Sequence, residues 1–258
     1  MKFGLIGHPI EHSLSPALFK AGYDGMYPYD LIITEDFEEA YRRFLDEYDG
    51  INVTAPFKEL ALRKADIVSE ECRLVGAANI LIKTPQGITA YNSDFRGVVA
   101  IFRGLKGGCP LSDHEKTVLI VGAGGAGKAA KAAAEAMGYE TTVINRTQYN
   151  PEIKPLSAFR EEFRKADIVI YNLPVRLPEI DLMTEADLCP GKEKVILEAN
   201  YRNPSFDKGA IQRMVTMNPL IRYIDGREWL LQQAVTGYEL FTGKTPDCEA
   251  MKAVIKSK

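Results

Sequence analysis

"TVLIVGAGGAGKAA" (Thr117–Ala130) is the stretch whose reading decides the fold. A β-branched apolar run meets a glycine cluster and passes into an alanine-rich segment. Gly122, Gly124 and Gly127 fall in the G-x-G-x-x-G spacing, with Gly125 and Ala126 between them. That spacing is common in turns. It gains meaning only between a strand and a helix, where glycines permit a tight turn and bring a pyrophosphate close to the helix N-terminus.

The second strand after such a loop selects the cofactor. An NAD site carries Asp or Glu about 20 residues on, to bind the ribose 2′-hydroxyl. Here the strand ends in Asn145-Arg146-Thr147, with no acid. An arginine there pairs with a 2′-phosphate and stacks on adenine, and an acid would repel that phosphate. The expected cofactor is NADP.

Outward from the loop, short apolar runs alternate with helical stretches. "KFGLIG" (2–7), "YDLII" (29–33) and "INVT" (51–54) read as strands, and 36–49 as a helix with Phe37, Tyr41, Phe44, Leu45 and Tyr48 three and four apart. Residues 77–92 read as a hairpin turning at Pro85 to Gly87, followed by a helix over 94–105. The Gly- and polar-rich 106–116 is a domain joint. Beyond it come strands at 117–122, 140–147, 166–173, 194–200 and 221–225, helices at 123–138 and near 155–165, and two closing helices from 226 and 246. The alternation predicts α/β architecture with parallel sheets covered on both faces.

The chain has 258 residues, 46% hydrophobic and 26% charged, enough for one large or two medium domains. A net charge of −3 argues against nucleic-acid or anionic-membrane partners. No apolar run nears the roughly 18 residues of a spanning helix, and the N-terminal apolar run is too short for a signal segment. Cys72, Cys109, Cys189 and Cys248 form no C-x-x-C pair, so reduced thiols are expected. The expected location is the cytoplasm.

A second constellation precedes the joint, in "HSLSP" (12–16), "NVTAPFK" (52–58), "GAANI" (76–80) and "YNSDFRG" (91–97). Each residue has a plain structural use. Ser13 and Ser15 suit a cap for a helix beginning at Pro16, Thr54 for one beginning at Pro56, Asp94 for one beginning at Phe95, and Asn79 suits a turn. Together they fall at the carboxyl ends of strands, where open α/β sheets bind ligands. Hydroxyls and amides there suit a small polyol, and one lysine with one aspartate suits proton transfer. Lys58 is the oddest of them: it sits in a first helical turn, where the macrodipole opposes an ammonium group.

In this order, "GHPIEHSLSP", "GINVTAPFK", "GAANI", "YNSDFRG", "VGAGGAGKAA", "NRT" and "DGREWLLQQA" resemble the successive signatures of the shikimate dehydrogenase family, from Gly7 to Ala234. The resemblance implies two domains. An N-terminal α/β substrate domain would span 1–103 plus 227–258, rejoined by the C-terminal helices, and a Rossmann-type NADP domain would span 104–226. It implies reversible NADPH-dependent reduction of 3-dehydroshikimate to shikimate, on the route to chorismate and aromatic amino acids, by a monomer or homodimer whose domains close on ligand. Lys58 and Asp94 would be catalytic; Ser13, Ser15, Thr54, Asn79, Tyr201 and Gln233 would bind substrate; and Gly122, Gly124, Gly125, Ala126, Gly127, Asn145, Arg146 and Thr147 would bind the cofactor, with no metal.

The chain departs from the family pattern at several points. "YNLPVRLPEI" (171–180) replaces the N-A-T-S-x-G-M type of segment on the nicotinamide side. Trp229 stands for a methionine and Glu198 for an aspartate, and Asn150 lies where a further basic residue is common. "SPALFK" has Phe19 and Lys20 in place of His-Asn. Rival readings are a quinate/shikimate paralogue, a methylenetetrahydrofolate dehydrogenase and a non-catalytic NADP-binding sensory homologue. The methylenetetrahydrofolate reading leaves the HSLSP serines and the Lys58–Asp94 pair unexplained.

Overall fold

The computed structural model describes residues 1–108 and 116–257; most of the 106–116 joint, with Cys109, lies outside the described residues. The chain divides into two compact units, Met1–Gly97 with Leu231–Lys258, and Val98–Leu230.

The first unit runs β1 (Phe3–Gly7), α1 (Ser15–Gly22), β2 (Tyr29–Ile33), α2 (Phe37–Glu47), β3 (Gly50–Val53), α3 (Lys58–Arg63), β4 (Ile67–Val68), α4 (Glu70–Val75), β5 (Ile80–Thr84) and β6 (Gly87–Tyr91). α5 (Ser93–Gly108) leads onward from it. The α2 helix shows how sequence becomes packing here. Asp36 accepts from the Glu38 and Glu39 amides and caps the helix, which then buries Phe37, Ala40 and Phe44. These join Ile6, Ile51, Val53 and Leu81 in one core against the sheet.

The sheet order is β2-β1-β3-β5-β6-β4. The hairpin expected over 77–92 makes this sheet mixed. β1 pairs in parallel with β2 and β3, but β3–β5 and β5–β6 are antiparallel. The cause is local: the two residues between Thr84 and Gly87 make a hairpin, and only antiparallel strands can be joined so briefly. Gly87 takes φ +119°, and a Cβ there would lie 2.4 Å from the Asp66 carboxylate.

The second unit runs β7 (Thr117–Val121), α6 (Gly125–Ala136), β8 (Glu140–Asn145), β9 (Lys154–Pro155), α7 (Phe159–Lys165), β10 (Ile168–Tyr171), α8 (Glu185–Leu188), β11 (Lys194–Glu198), α9 (Lys208–Met217) and β12 (Ile221–Ile224). Its order is β12-β11-β10-β7-β8-β9, and every neighbouring pair is parallel. The strand order reverses between β7 and β10, and the carboxyl ends of these two strands open the crevice where such sheets bind dinucleotides. Strands β11, β10 and β7 are nearly continuous Val/Ile/Leu runs, as burial on both faces requires. α10 (Gly226–Thr242) carries the chain back to the first unit, which α11 (Cys248–Lys256) completes.

Candidate active site

The first unit gathers its polar residues around the start of α5. Lys58 Nζ lies 2.6 Å from Asp94 Oδ2, with side-chain exposures of 21% and 12%. A pair this sheltered interacts more strongly than one in open water. The structure also shows how Asp94 is left available for it. Asn92, not Asp94, caps α5: its Oδ1 accepts from the Phe95 amide at 3.0 Å, and its Nδ2 donates to the Ala77 carbonyl. The expectation of a capping Asp94 is corrected on that ground. α3 likewise begins at Lys58, after Phe57, without a side-chain cap. Pro56 therefore precedes the helix, and Thr54 contributes only a backbone carbonyl, to the Phe57 amide. Lys58 is the first residue of that helix, where the local field disfavours a cation. The carboxylate opposite supplies the compensating charge.

Asn79 is buried and clasps Ser93, the neighbour of Asp94. Its Nδ2 donates to Ser93 Oγ at 3.1 Å and its Oδ1 accepts from the Ser93 amide at 2.7 Å. Ser13 and Ser15 stand at the entry to α1, where the Ser13 hydroxyl donates to Ser15 Oγ at 3.1 Å. The expected caps from these serines are absent at Leu14, the residue preceding the helix. Gln233 is half-buried on α10. Four residues on, a Cβ at Gly237 would meet Ile80 at 2.9 Å and Ser93 at 3.2 Å. Residues four apart share a helix face, so Gln233 lies on the face of α10 that packs toward Ser93. Tyr201 belongs to the second unit, in the loop after β11, with the Arg202 guanidinium 5.6 Å from its ring centroid.

In the second unit the glycine loop has a clear steric logic. Gly122 takes φ +100°, and a Cβ at Gly127 would sit 1.9 Å from the Gly122 carbonyl oxygen. A Cβ at Gly124 or Gly125 would meet nothing within 4 Å. Gly127 therefore serves close helix–loop contact, whereas Gly124 and Gly125 leave open space at the start of a 12-residue helix. An anion fits that space by the chemistry of exposed amides. Asn145 accepts from the Ala123 amide at 3.3 Å and donates to the Thr147 carbonyl at 2.9 Å, joining the loop to the end of β8. Arg146 is exposed and has no ion-pair partner among the described residues. A cavity of about 530 Å³ adjoins, lined by Ala123, Gly127, Lys128, Val143, Tyr149 and Asn150 among others. Lys128 and Lys131 on its wall are accompanied by Glu135 and Glu152, so its lining carries both signs of charge.

The divergent 171–180 segment is firmly tied. The buried Tyr171 hydroxyl donates to the Val175 carbonyl at 2.7 Å and accepts from the Leu177 amide. Arg176 spans Asp181, Asp207 and the Ser205 carbonyl. Glu198 accepts from the Ser205 and Phe206 amides and the Tyr223 hydroxyl, and burial pushes its carboxyl above the usual range. These bonds hold the loop that carries Tyr201. Asn92, Ser93, Asn52 and Arg176 were not singled out from sequence. Asn92 alone had a signal, an amide three residues before a helical amide that needs an acceptor.

Comparison with known proteins gives two family matches. Residues 5–81 match the shikimate dehydrogenase substrate binding domain, and residues 106–222 the D-isomer specific 2-hydroxyacid dehydrogenase NAD binding domain. A shikimate dehydrogenase (NADP(+)) of Caldanaerobacter subterraneus subsp. tengcongensis is 29% identical over 94% of this chain and 91% of its own length. The shikimate dehydrogenase (NADP(+)) of Thermotoga maritima is 37% identical over 57% of this chain and 56% of its own. Among solved structures, the shikimate 5-dehydrogenase of Thermus thermophilus, in complex with NADP(H) and shikimate, superposes with a TM-score of 0.80 at 27% identity, covering 100% of this chain and 99% of that one.

Proposed function

The chain belongs to the shikimate dehydrogenase family, and from that premise we propose that it catalyses the reversible NADPH-dependent reduction of 3-dehydroshikimate to shikimate, on the route to chorismate and aromatic amino acids. The observation that carries the mechanism is the sheltered 2.6 Å contact between Lys58 and Asp94.

When bound, NADPH supplies hydride to the ring ketone. Lys58 gives the developing alkoxide its proton and, as a cation, stabilises the charge while it forms. Asp94 holds the ammonium group in place and offsets its position at a helix N-terminus. Ser13, Ser15, Thr54 and Asn79 make the hydroxyl and carboxylate contacts to the substrate, and Tyr201 and Gln233 join them. Gly122, Gly124, Gly125, Ala126 and Gly127 cradle the pyrophosphate, and Asn145, Arg146 and Thr147 bind the adenosine 2′-phosphate. In this reading 1–103 with 227–258 is the catalytic domain and 104–226 the NADP domain. The protein works in the cytoplasm as a monomer or homodimer. No helix among the described residues is long and apolar enough to cross a membrane.

The test is absorbance at the NADPH band with purified protein, shikimate and either NADP or NAD, for wild type and Lys58→Ala. NADP-dependent turnover that collapses in the variant, with shikimate still bound, is the expected result. Absence of turnover with both cofactors would overturn the assignment.

A further inference from the structure

The chain passes from β8 to β9 through residues 146–153 with no helix between them. The cavity of about 530 Å³ lies in the gap between that connection, α6 and β8. Its volume falls within the roughly 300–1,000 Å³ of small-molecule sites. Ala123, Val143 and Ile153 supply apolar wall. The charges on the lining balance, with Lys128 and Lys131 against Glu135 and Glu152. One pair is already closed on itself: Lys131 Nζ lies 2.6 Å from Glu135 Oε1, which also accepts from the Thr141 hydroxyl at 2.8 Å. A cavity of this kind has little net field to draw in a phosphate. It suits an uncharged, flat group.

Tyr149 lines the same cavity and is 60% exposed. Its hydroxyl donates to the Ala123 carbonyl, inside the glycine loop, at 3.3 Å. The ring is therefore held at both ends, by its own backbone and by its hydroxyl, yet most of its surface is left uncovered. An aromatic ring so placed gains little from burial and keeps a face free for stacking. The plain alternative is a pin, in which the hydroxyl merely ties one loop to the other. A pin needs the oxygen, whereas a stacking surface needs the ring.

The path of a dinucleotide leads to this ring. Its pyrophosphate belongs at the start of α6, beside Gly124 and Gly125, and its adenosine ribose at the end of β8. The base attached to that ribose then meets the residues that follow β8. Arg146, at the beginning of that connection, is left for the 2′-phosphate. Asn150, where a further basic residue is common in the family pattern, carries no charge, and its Oδ1 accepts from the Glu152 amide at 2.9 Å. Beyond Arg146 the connection thus offers an aromatic surface in place of a second cation.

We propose that Tyr149 is the platform on which the adenine of the cofactor stacks, over the cavity between α6 and β8. The proposal rests on the NADP reading and names the residue that receives the base.

Tyr149→Ala and Tyr149→Phe are compared with wild type by titration with adenosine 2′,5′-bisphosphate, 5′-ADP, NADPH and reduced nicotinamide mononucleotide, which lacks the adenosine half. Tyr149→Ala should weaken the first three by a common factor of about ten, within the range for one base–aromatic stack, and leave the mononucleotide unchanged. Tyr149→Phe keeps the ring and should stay within about threefold of wild type for all four, having lost one neutral hydrogen bond at an exposed site. Arg146→Ala should affect only the two ligands that carry a 2′-phosphate. The adenine absorption band should lose intensity when the bisphosphate binds wild type or Tyr149→Phe, and should not with Tyr149→Ala. Both tyrosine variants alter an exposed side chain and should melt within about 2 °C of wild type.

Equal losses in Tyr149→Phe and Tyr149→Ala would show that the tyrosine is only a pin and would overturn the platform. Unchanged affinity of Tyr149→Ala for the bisphosphate would overturn it as well, and so would a loss that extends to the mononucleotide. A wild type that binds ADP and the bisphosphate equally would refute the preference for NADP instead, and the stack would then be decided by the response of ADP to the two tyrosine variants.

Discussion

Replacing Gly127 by alanine separates the structural work of the glycine loop from its ligand work. The new Cβ would lie 1.9 Å from the Gly122 carbonyl oxygen and 2.9 Å from its carbon, about 1.5 Å short of the 3.4 Å at which ordinary contact begins. Both clashing atoms are backbone, so no rotamer change relieves them. Either α6 withdraws from the loop or the loop unwinds at Gly122, whose φ of +100° is itself a glycine conformation. Overpacking on this scale costs about 3 kcal/mol. At about 4 °C per kcal/mol, thermal unfolding should drop by roughly 10 °C. Gly124→Ala is the matched control. Its Cβ would meet nothing within 4 Å and its φ is −73°. That variant should melt within about 2 °C of wild type, yet bind NADPH about tenfold more weakly, because the methyl stands where a pyrophosphate approaches the helix. Differential scanning fluorimetry and NADPH titration read both. A Gly127→Ala protein with wild-type melting and NADPH affinity would refute the steric reasoning. A Gly124→Ala protein as unstable as Gly127→Ala would refute the division of labour.

Three further outcomes follow from the same geometry. Lys58→Ala should lower kcat by about 10²–10⁴ while leaving shikimate affinity within a few fold, and Asp94→Asn should lower kcat with it; a variant that loses binding alone would reassign Lys58 to recognition. Arg146→Ala should weaken NADPH by about 10- to 100-fold and leave NADH nearly unchanged, as a competition titration of the two nucleotides would show; equal losses would mean the arginine does not hold the 2′-phosphate. The third concerns acid stability. Asp187, buried and ion-paired to Arg160 and Arg164, has its carboxyl held well below the usual range despite its burial, chiefly by those arginines and the Thr184 amide. A depressed folded value means this stability is present above the unfolded value near 3.8 and is lost as pH falls below it. Acid unfolding followed by circular dichroism should show that limb in wild type and lack its contribution in Asp187→Asn, which starts less stable at neutral pH; identical slopes below pH 4 would contradict the linkage.

Legibility in the sequence varied with how local each cause was. The second unit was readable because its strands are long apolar runs and its loop carries glycines that only close approach explains. The hairpin was readable from its turn residues, yet its consequence was not: a sheet that begins parallel ends mixed once two residues join β5 to β6. Short elements such as β4 and β9, two residues each, have no period to detect. Two units were expected, and α10 carries the chain from one to the other. Side-chain partnerships were the least readable. Tyr29 meets Asn52 across 23 residues and Tyr238 meets Ser15 across 223, distances at which neither propensity nor spacing carries information.

The lysine at the start of α3 shows what the sequence did carry. A cation at the first position of a helix runs against the helix field, whereas Asp94, at the second position of α5, stands where that field favours a carboxylate. The misfit of Lys58 has no remedy within α3. Asp94 resolves it across 36 residues at 2.6 Å. Asn92 makes this possible by taking over the capping of α5, and Asn79 holds the intervening Ser93 so that the carboxylate faces the amine. On the proposed reading, this sheltered pair is where a proton or a charge is delivered during the reaction.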